Sequence, residues 1–91
     1  MEFEWDDDKF MSNLAKHGVS FGEALLIFEG PLVTRPDDRK DYGEVRFISI
    51  GEADGRIYVV VHTMRNDIVR IISARLGGHR DRKDYYAHLA G

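Results

Sequence analysis

The stretch RIYVVVHTMRNDIVRIISAR, residues 56–75, limits the fold more than any other part of the chain. RIYVVVHT is dense in β-branched residues, which suit extended backbone and a buried, pleated setting. MRND reads as a turn, and IVRIISAR pairs back against the first run, giving a hairpin with a central strand. Upstream, EVRFISIG alternates and EADG turns it into RIYVVVHT. PLVTR is a further short strand with its proline at the first position, where a missing N–H is tolerated. PDDRKDYG is the polar loop between.

A meander of this kind needs a cover, and the first thirty residues supply it. EFEW alternates apolar and acidic residues as a short strand. Asp6 is an N-cap, with Asp7 and Asp8 in the first turn, where the helix dipole favours negative charge. Phe10, Met11, Leu14 and Ala15 recur at helical spacing, so residues 7–17 form an amphipathic helix. Gly18 follows as a left-handed C-terminal cap. Ser20 and Glu23 form a capping box, and Val19 and Ala24 stand where a hydrophobic staple sits. Phe21, Ala24, Leu25 and Phe28 give a second helix its core face, and Gly30-Pro31 ends it. Gly77-Gly78 breaks the last strand, and HRDRKDYYAHLAG closes the chain as a polar helix with Tyr85, Tyr86 and Leu89 as its apolar stripe. The order β-α-α-β-β-β-β-α predicts an α+β fold, with helices packed on one face of an antiparallel sheet. Residues 1–91 make one domain.

Composition removes several functions. The chain has no cysteine, which excludes disulfides and thiolate chemistry and fits a reducing, cytoplasmic setting. MEFEWDDDK has no apolar segment of the signal-peptide kind, and no run is long enough to span a membrane. The net charge of −3 argues against a general nucleic-acid coat protein. Its distribution is uneven: acids dominate residues 1–30, whereas Arg65, Arg70, Arg75, Arg80, Arg82 and Lys83 outnumber the acids of residues 64–91. A basic face can therefore meet an anionic ligand although the total is acidic.

The residues with chemical promise are cationic. Strict alternation puts Arg70, Ile72 and Ala74 on one side of their strand and Val69, Ile71, Ser73 and Arg75 on the other. Arg46 shares a face with Ile48 and Ile50. Arginines in such apolar strands are costly unless paired or at a margin. With Arg65 at a turn, Arg46, Arg70 and Arg75 can converge as a phosphate clamp, because the planar guanidinium fork matches phosphate oxygens. The competing reading is ion pairing with Glu44, Asp67 or Glu52. Lys16 and His17 suit a last helical turn, where cations meet the negative end of the dipole; proton transfer is their other reading. His62 is a half-buried strand histidine or a proton carrier. His17, His62, His79 and His88 lack metal-ligand spacing, so no metal site is expected.

In combination, FEWD (Phe3–Asp6), NLAKHGVSFGEA (Asn13–Ala24), GEVRFISIG (Gly43–Gly51), HTMR (His62–Arg65), RIISAR (Arg70–Arg75) and a closing tyrosine helix around Tyr85 mark a resemblance. The chain resembles the BrnT family of bacterial type II toxins, small proteins of RelE-like ribonuclease fold. The resemblance implies an endoribonuclease that halts translation by cutting RNA without metal or other cofactor. It also implies neutralisation by a ribbon-helix-helix antitoxin (BrnA-like) and a higher-order toxin–antitoxin complex on the promoter DNA. Carried onto this sequence, it makes Arg46, Arg65, Arg75, His62, Lys16 and His17 the catalytic candidates. Arg70 joins the phosphate lining, and Tyr85 is an RNA contact or an alternative proton donor. The chain departs from many RelE-type toxins in being acidic, which favours a protein partner over ribosome association. A different class stays open: a non-catalytic module whose arginines hold a small DNA-binding protein. A metal-dependent nuclease is a third and remote reading.

Overall fold

The computed structural model describes residues 1–91. Five strands form one sheet: β1 (Glu2–Trp5), β2 (Leu32–Pro36), β3 (Phe47–Ala53), β4 (Arg56–Arg65) and β5 (Ile68–Leu76). Their spatial order is β1-β5-β4-β3-β2. The helices are α1 (Asp7–His17), α2 (Phe21–Ala24) and α3 (His79–Ala90), and a 3-10 helix spans Leu25–Glu29. The architecture is the expected α+β, and the order of elements agrees. One pairing differs from an all-antiparallel sheet. β1 runs parallel to β5, because α1 and the β2–β4 meander lie between them in sequence and bring the chain back in the same direction.

β3, β4 and β5 form the antiparallel centre, joined by two tight turns. Asp54-Gly55 and Asn66-Asp67 take positive φ at both central residues, the condition for hairpin turns that match strand twist. β4 is central, with Ile57 to Thr63 all buried, as its β-branched content demands. β3 begins at Phe47 rather than Glu44, since residues 44–46 precede the ladder with β4. β2 is an edge strand, and its Pro36 is tolerated there.

The helices do not all lie on one face. α2 and the 3-10 helix cover the first face, where Phe21, Ala24 and Ile27 join Tyr58, Val60, Val69, Ile71 and Ala74. α3 covers part of the second, where Tyr85 joins Ile48, Ile50, Ile57, Val59 and Val61. Both faces carry apolar side chains, so both need cover. The predicted second helix is thus one capped α-turn that tightens into a 3-10 helix. The Ser20–Glu23 capping box is present in both directions, at 3.0 Å and 2.9 Å. The tightening brings Ile27 into the core and close to β3: a Cβ on Gly51 would lie 2.7 Å from the Ile27 Cβ.

α1 holds a third position, beside the sheet. β1 pairs with only the first half of β5, from Ile68 to Ile71. Beyond Ile71 the β5 edge is free, and α1 lies against it. Its caps form as expected, with Asp6 accepting from the Lys9 N–H and Gly18 at φ 68°. Its buried face is not the expected apolar stripe. Met11 and Leu14 are exposed, whereas Asn13 is only 6 % exposed. The physical reason is what α1 faces. A strand edge presents unpaired N–H and C=O groups, and an amide side chain satisfies both. Asn13 Nδ2 donates to Ala74 O at 2.8 Å and to Val19 O at 3.1 Å, while Asn13 Oδ1 accepts from Ala74 N at 3.1 Å. Phe10 supplies the apolar anchor, against Trp5 and Phe21.

Candidate functional site: a cationic cleft on the second face

The second face is only partly covered by α3, and a bulge decides what it presents. Val61 pairs with Ser73, but His62 pairs with Ile71, leaving Ile72 without a partner in β4. A bulge of this kind breaks the two-residue alternation. Ala74 therefore sits in the first-face core with Val69 and Ile71, and Ile72 packs with the second-face cluster. Arg70, opposite Thr63, and Arg75, opposite Val59, then lie on the same face. Strict alternation had put them on opposite sides. Arg65 shares that face in register with Ile68, and Arg46 reaches it two residues before Ile48.

Sharing a face is not sharing a site. Glu44 bridges Arg46, at 3.0 Å from Nε, and Arg65, at 3.3 Å from Nη2. The hydrogen bond from Arg46 lowers the Glu44 carboxyl below its ordinary range, and Arg65 adds to the effect. Arg46 also lies over the Tyr42 ring, 4.1 Å from its centroid. Arg70 lies beside Glu4 on β1, at 3.5 Å. All four of these arginines are held by carboxylates, since Arg75 meets Asp81, and Glu44 is among the partners as the ion-pair reading supposed.

Arg75 differs from the other three in that it also faces a cavity. It lines a cleft of about 350 Å³ together with Lys16, His17, Arg35, Arg39 and Ser73, over a floor of Ile48, Val59 and Val61. The strand β2 brings Arg35, which faces the cleft in register with Ile48. The loop after β2 brings Arg39. The C-terminal turn of α1 brings Lys16 and His17 round the free edge of β5, where Asn13 fixes the helix to Ala74. Lys16 and Arg35 form no ion pair; the chain's salt bridges involve other cations.

Two of the cleft cations are steadied by carboxylates. Arg75 Nη1 donates to Asp81 Oδ2 at 2.9 Å and to Leu76 O at 3.1 Å. The same Asp81 oxygen accepts from the Gly78 N–H at 2.9 Å, so Asp81 ties Arg75 to the start of α3. Burial pushes the Asp81 carboxyl up, but the hydrogen bonds from Arg75 and Gly78 outweigh it and hold it below its usual range. Arg39 grips Asp37 through both forks, at 2.7 Å and 2.8 Å. That contact lowers the Asp37 carboxyl to about 2. The Asp37 side chain is fully covered, whereas Arg39 remains mostly exposed. Bidentate pairing of this kind fixes a guanidinium plane and leaves its other N–H groups free for a second anion.

His62 and Tyr85 are not in the cleft. His62 lies on the first face, between Phe28 and Phe47, with Nε2 2.8 Å from Ser49 Oγ. Its Nδ1 is buried without a partner, and burial pushes the imidazole pKa down. Tyr85 is 2 % exposed and donates to Pro31 O at 2.9 Å, anchoring α3 to the segment before β2. No three His, Asp or Glu side chains converge in a metal-holding group, and no helix is long and apolar enough to cross a membrane.

Arg35, Arg39 and Ser73 line the cleft without being among the candidates expected from the sequence. Arg35 carried a usable signal, since it alternates with Val33 in PLVTR and so shares that residue's face. Ser73 also carried a signal, since alternation already sets it on the face of Arg75, whereas nothing in PDDRKDYG marks Arg39. Chemically, a ring of guanidinium and ammonium groups over an aliphatic floor suits a phosphodiester with its attached sugar or base. No curated protein matches the chain. Residues 5–80 match the family described as the ribonuclease toxin BrnT of a type II toxin-antitoxin system, and the chain belongs to that family.

Proposed function

We propose that the protein is a metal-independent, RelE-like endoribonuclease that inhibits translation by cutting RNA in the cationic cleft. The observation that carries this reading is the convergence of Lys16, His17, Arg35, Arg39 and Arg75 in one hollow of about 350 Å³. In such a reaction the ribose 2′-oxygen attacks the adjacent phosphorus in line, the 2′-O–P bond forms and the P–O5′ bond breaks. The 2′-hydroxyl proton passes to a base and the leaving 5′-oxygen receives one from an acid. Arg75, Arg35 and Arg39 hold the phosphoryl oxygens and stabilise the charge that grows on them. Lys16 and His17 carry protons, a task for which imidazole is the usual side chain near neutral pH. Arg46, Arg65 and Arg70 act as a flanking, largely neutralised tier. The protein works in the cytoplasm and is held inactive by a ribbon-helix-helix antitoxin, the pair also assembling on its promoter DNA.

The experiment is cleavage of purified RNA by chelator-treated protein, with growth arrest on expression as its cellular counterpart. Arg75→Ala is expected to lower the cleavage rate by about 10²–10³, as removal of one preorganised charge donor does. A folded Arg75→Ala protein that cuts RNA and arrests growth like the parent overturns the proposed site. If the parent itself binds its antitoxin tightly, cuts no RNA and is harmless, the non-catalytic binding module replaces the nuclease.

A further inference from the structure

The cleft does not end at Lys16 and His17. A second hollow, of about 360 Å³, lies beyond them between α1 and the bulged part of β5. Lys16, His17 and Ser73 line both, so the two form one groove with these residues as its saddle. The far wall is Asp8, Lys9 and Ser12, and Ile72 is the single apolar side chain. The bulge explains that meeting, because it turns Ile72 and Ser73 toward the groove in succession.

The two hollows differ in chemistry. The cleft offers cations over an aliphatic floor. The hollow beside α1 mixes a carboxylate, which only accepts, with an ammonium, which only donates, and a hydroxyl, which does both. Neither Asp8 nor Lys9 is engaged in an ion pair. A phosphate at Asp8 would meet like charge. A base edge, with donors and acceptors side by side, meets complements. Unstacked bases of single-stranded RNA are read in this way, by hydrogen bonds to their edges.

Resting on the RNA reading of the cleft, we propose that the hollow is a base-reading subsite. It receives the base of one nucleotide flanking the phosphodiester held in the cleft. Asp8 selects a base with an exocyclic amino group and disfavours uracil. Cytosine, adenine and guanine each offer an amino donor to the carboxylate. Uracil offers one N–H between two carbonyl oxygens that the carboxylate repels. Ile72 supplies an apolar contact for the ring.

The test measures binding of tetranucleotides made non-cleavable by 2′-O-methylation at the central bond, with the base on each side of that bond varied in turn. On one side the parent is expected to bind uracil about tenfold more weakly than the best amino-bearing base. Asp8→Asn is expected to remove most of that ratio, because an amide both donates and accepts, while preferences on the other side stay as in the parent. Asp6 remains as the cap of α1, so the variant keeps its helix start. Equal binding of all four bases on both sides overturns the subsite, as does unchanged discrimination in Asp8→Asn. Those results leave the cleft intact if Arg75→Ala still weakens every tetranucleotide. Absence of RNA binding by the parent overturns both readings.

Discussion

His62 shows how burial redirects a residue that chemistry alone would nominate. Its ring sits between Phe28 and Phe47, bonds to Ser49 and leaves Nδ1 without a partner. A charge there would have to give up water with no carboxylate to repay it. The folded protein therefore holds His62 neutral, with a pKa below that of the unfolded chain. A depressed folded value contributes stability that is present above the unfolded pKa, near 6.5, and is lost as pH falls from there through the folded value. The unfolding free energy from urea titration is expected to fall between pH 7 and pH 5, by up to about 1.4 kcal/mol per pH unit for a single group. In His62→Gln, which keeps an amide for Ser49 but has nothing to titrate, that part of the slope disappears. Equal slopes in parent and variant would show that His62 is not held neutral by the fold. At the same scale, the Glu44 bridge is why Arg46 and Arg65 sit on the right face yet outside the cleft.

Among the elements, α1 and β5 position the site through their junction. The chain leaves half of the β5 edge unpaired by β1, and one amide side chain from α1 closes it. That contact sets where the next helical turn, with Lys16 and His17, stands relative to Arg75. Asn13→Leu keeps the size of the side chain and removes its hydrogen bonds. It leaves the Ala74 N–H and C=O and the Val19 carbonyl without that partner, at about 1–3 kcal/mol for each group left unsatisfied. Urea unfolding is expected to show a loss in that range or above. At a temperature where the variant is fully folded, RNA affinity is expected to fall as well, because the α1 cations lose their seat. A variant with parental stability would mean that water replaces the amide at the strand edge.

For the whole molecule, charge and shape act together. The chain is net acidic, at −3, yet the groove gathers its cations from α1, β2, the following loop and β5. Binding therefore depends on local contacts more than on a long-range positive field. A single strand that seats two phosphates in the groove is expected to give a log Kd against log salt slope of magnitude about 1.4. Filter binding or fluorescence anisotropy across a salt series checks this. A far steeper slope would place RNA over a wider basic surface, including the Arg46, Arg65 and Arg70 tier.

Local rules in the sequence determined the hairpins, the Asp6 and Ser20 caps, the left-handed Gly18 and the α+β order, because turns, caps and β-branched runs act over a few residues. The resemblance, rather than these rules, made Arg75, Lys16 and His17 catalytic candidates, together with Arg46, Arg65 and His62. Tertiary structure decided the rest. A bulge at Ile72 moved Arg70 and Arg75 to one face, where period-two counting put them on two. The unpaired β5 edge turned the buried side of α1 from Met11 and Leu14 to Asn13. Which of the carboxylate-held arginines also faces the open cleft depends on strand register across the sheet. Register brings together residues far apart in the chain, and so it cannot be read from neighbours in sequence.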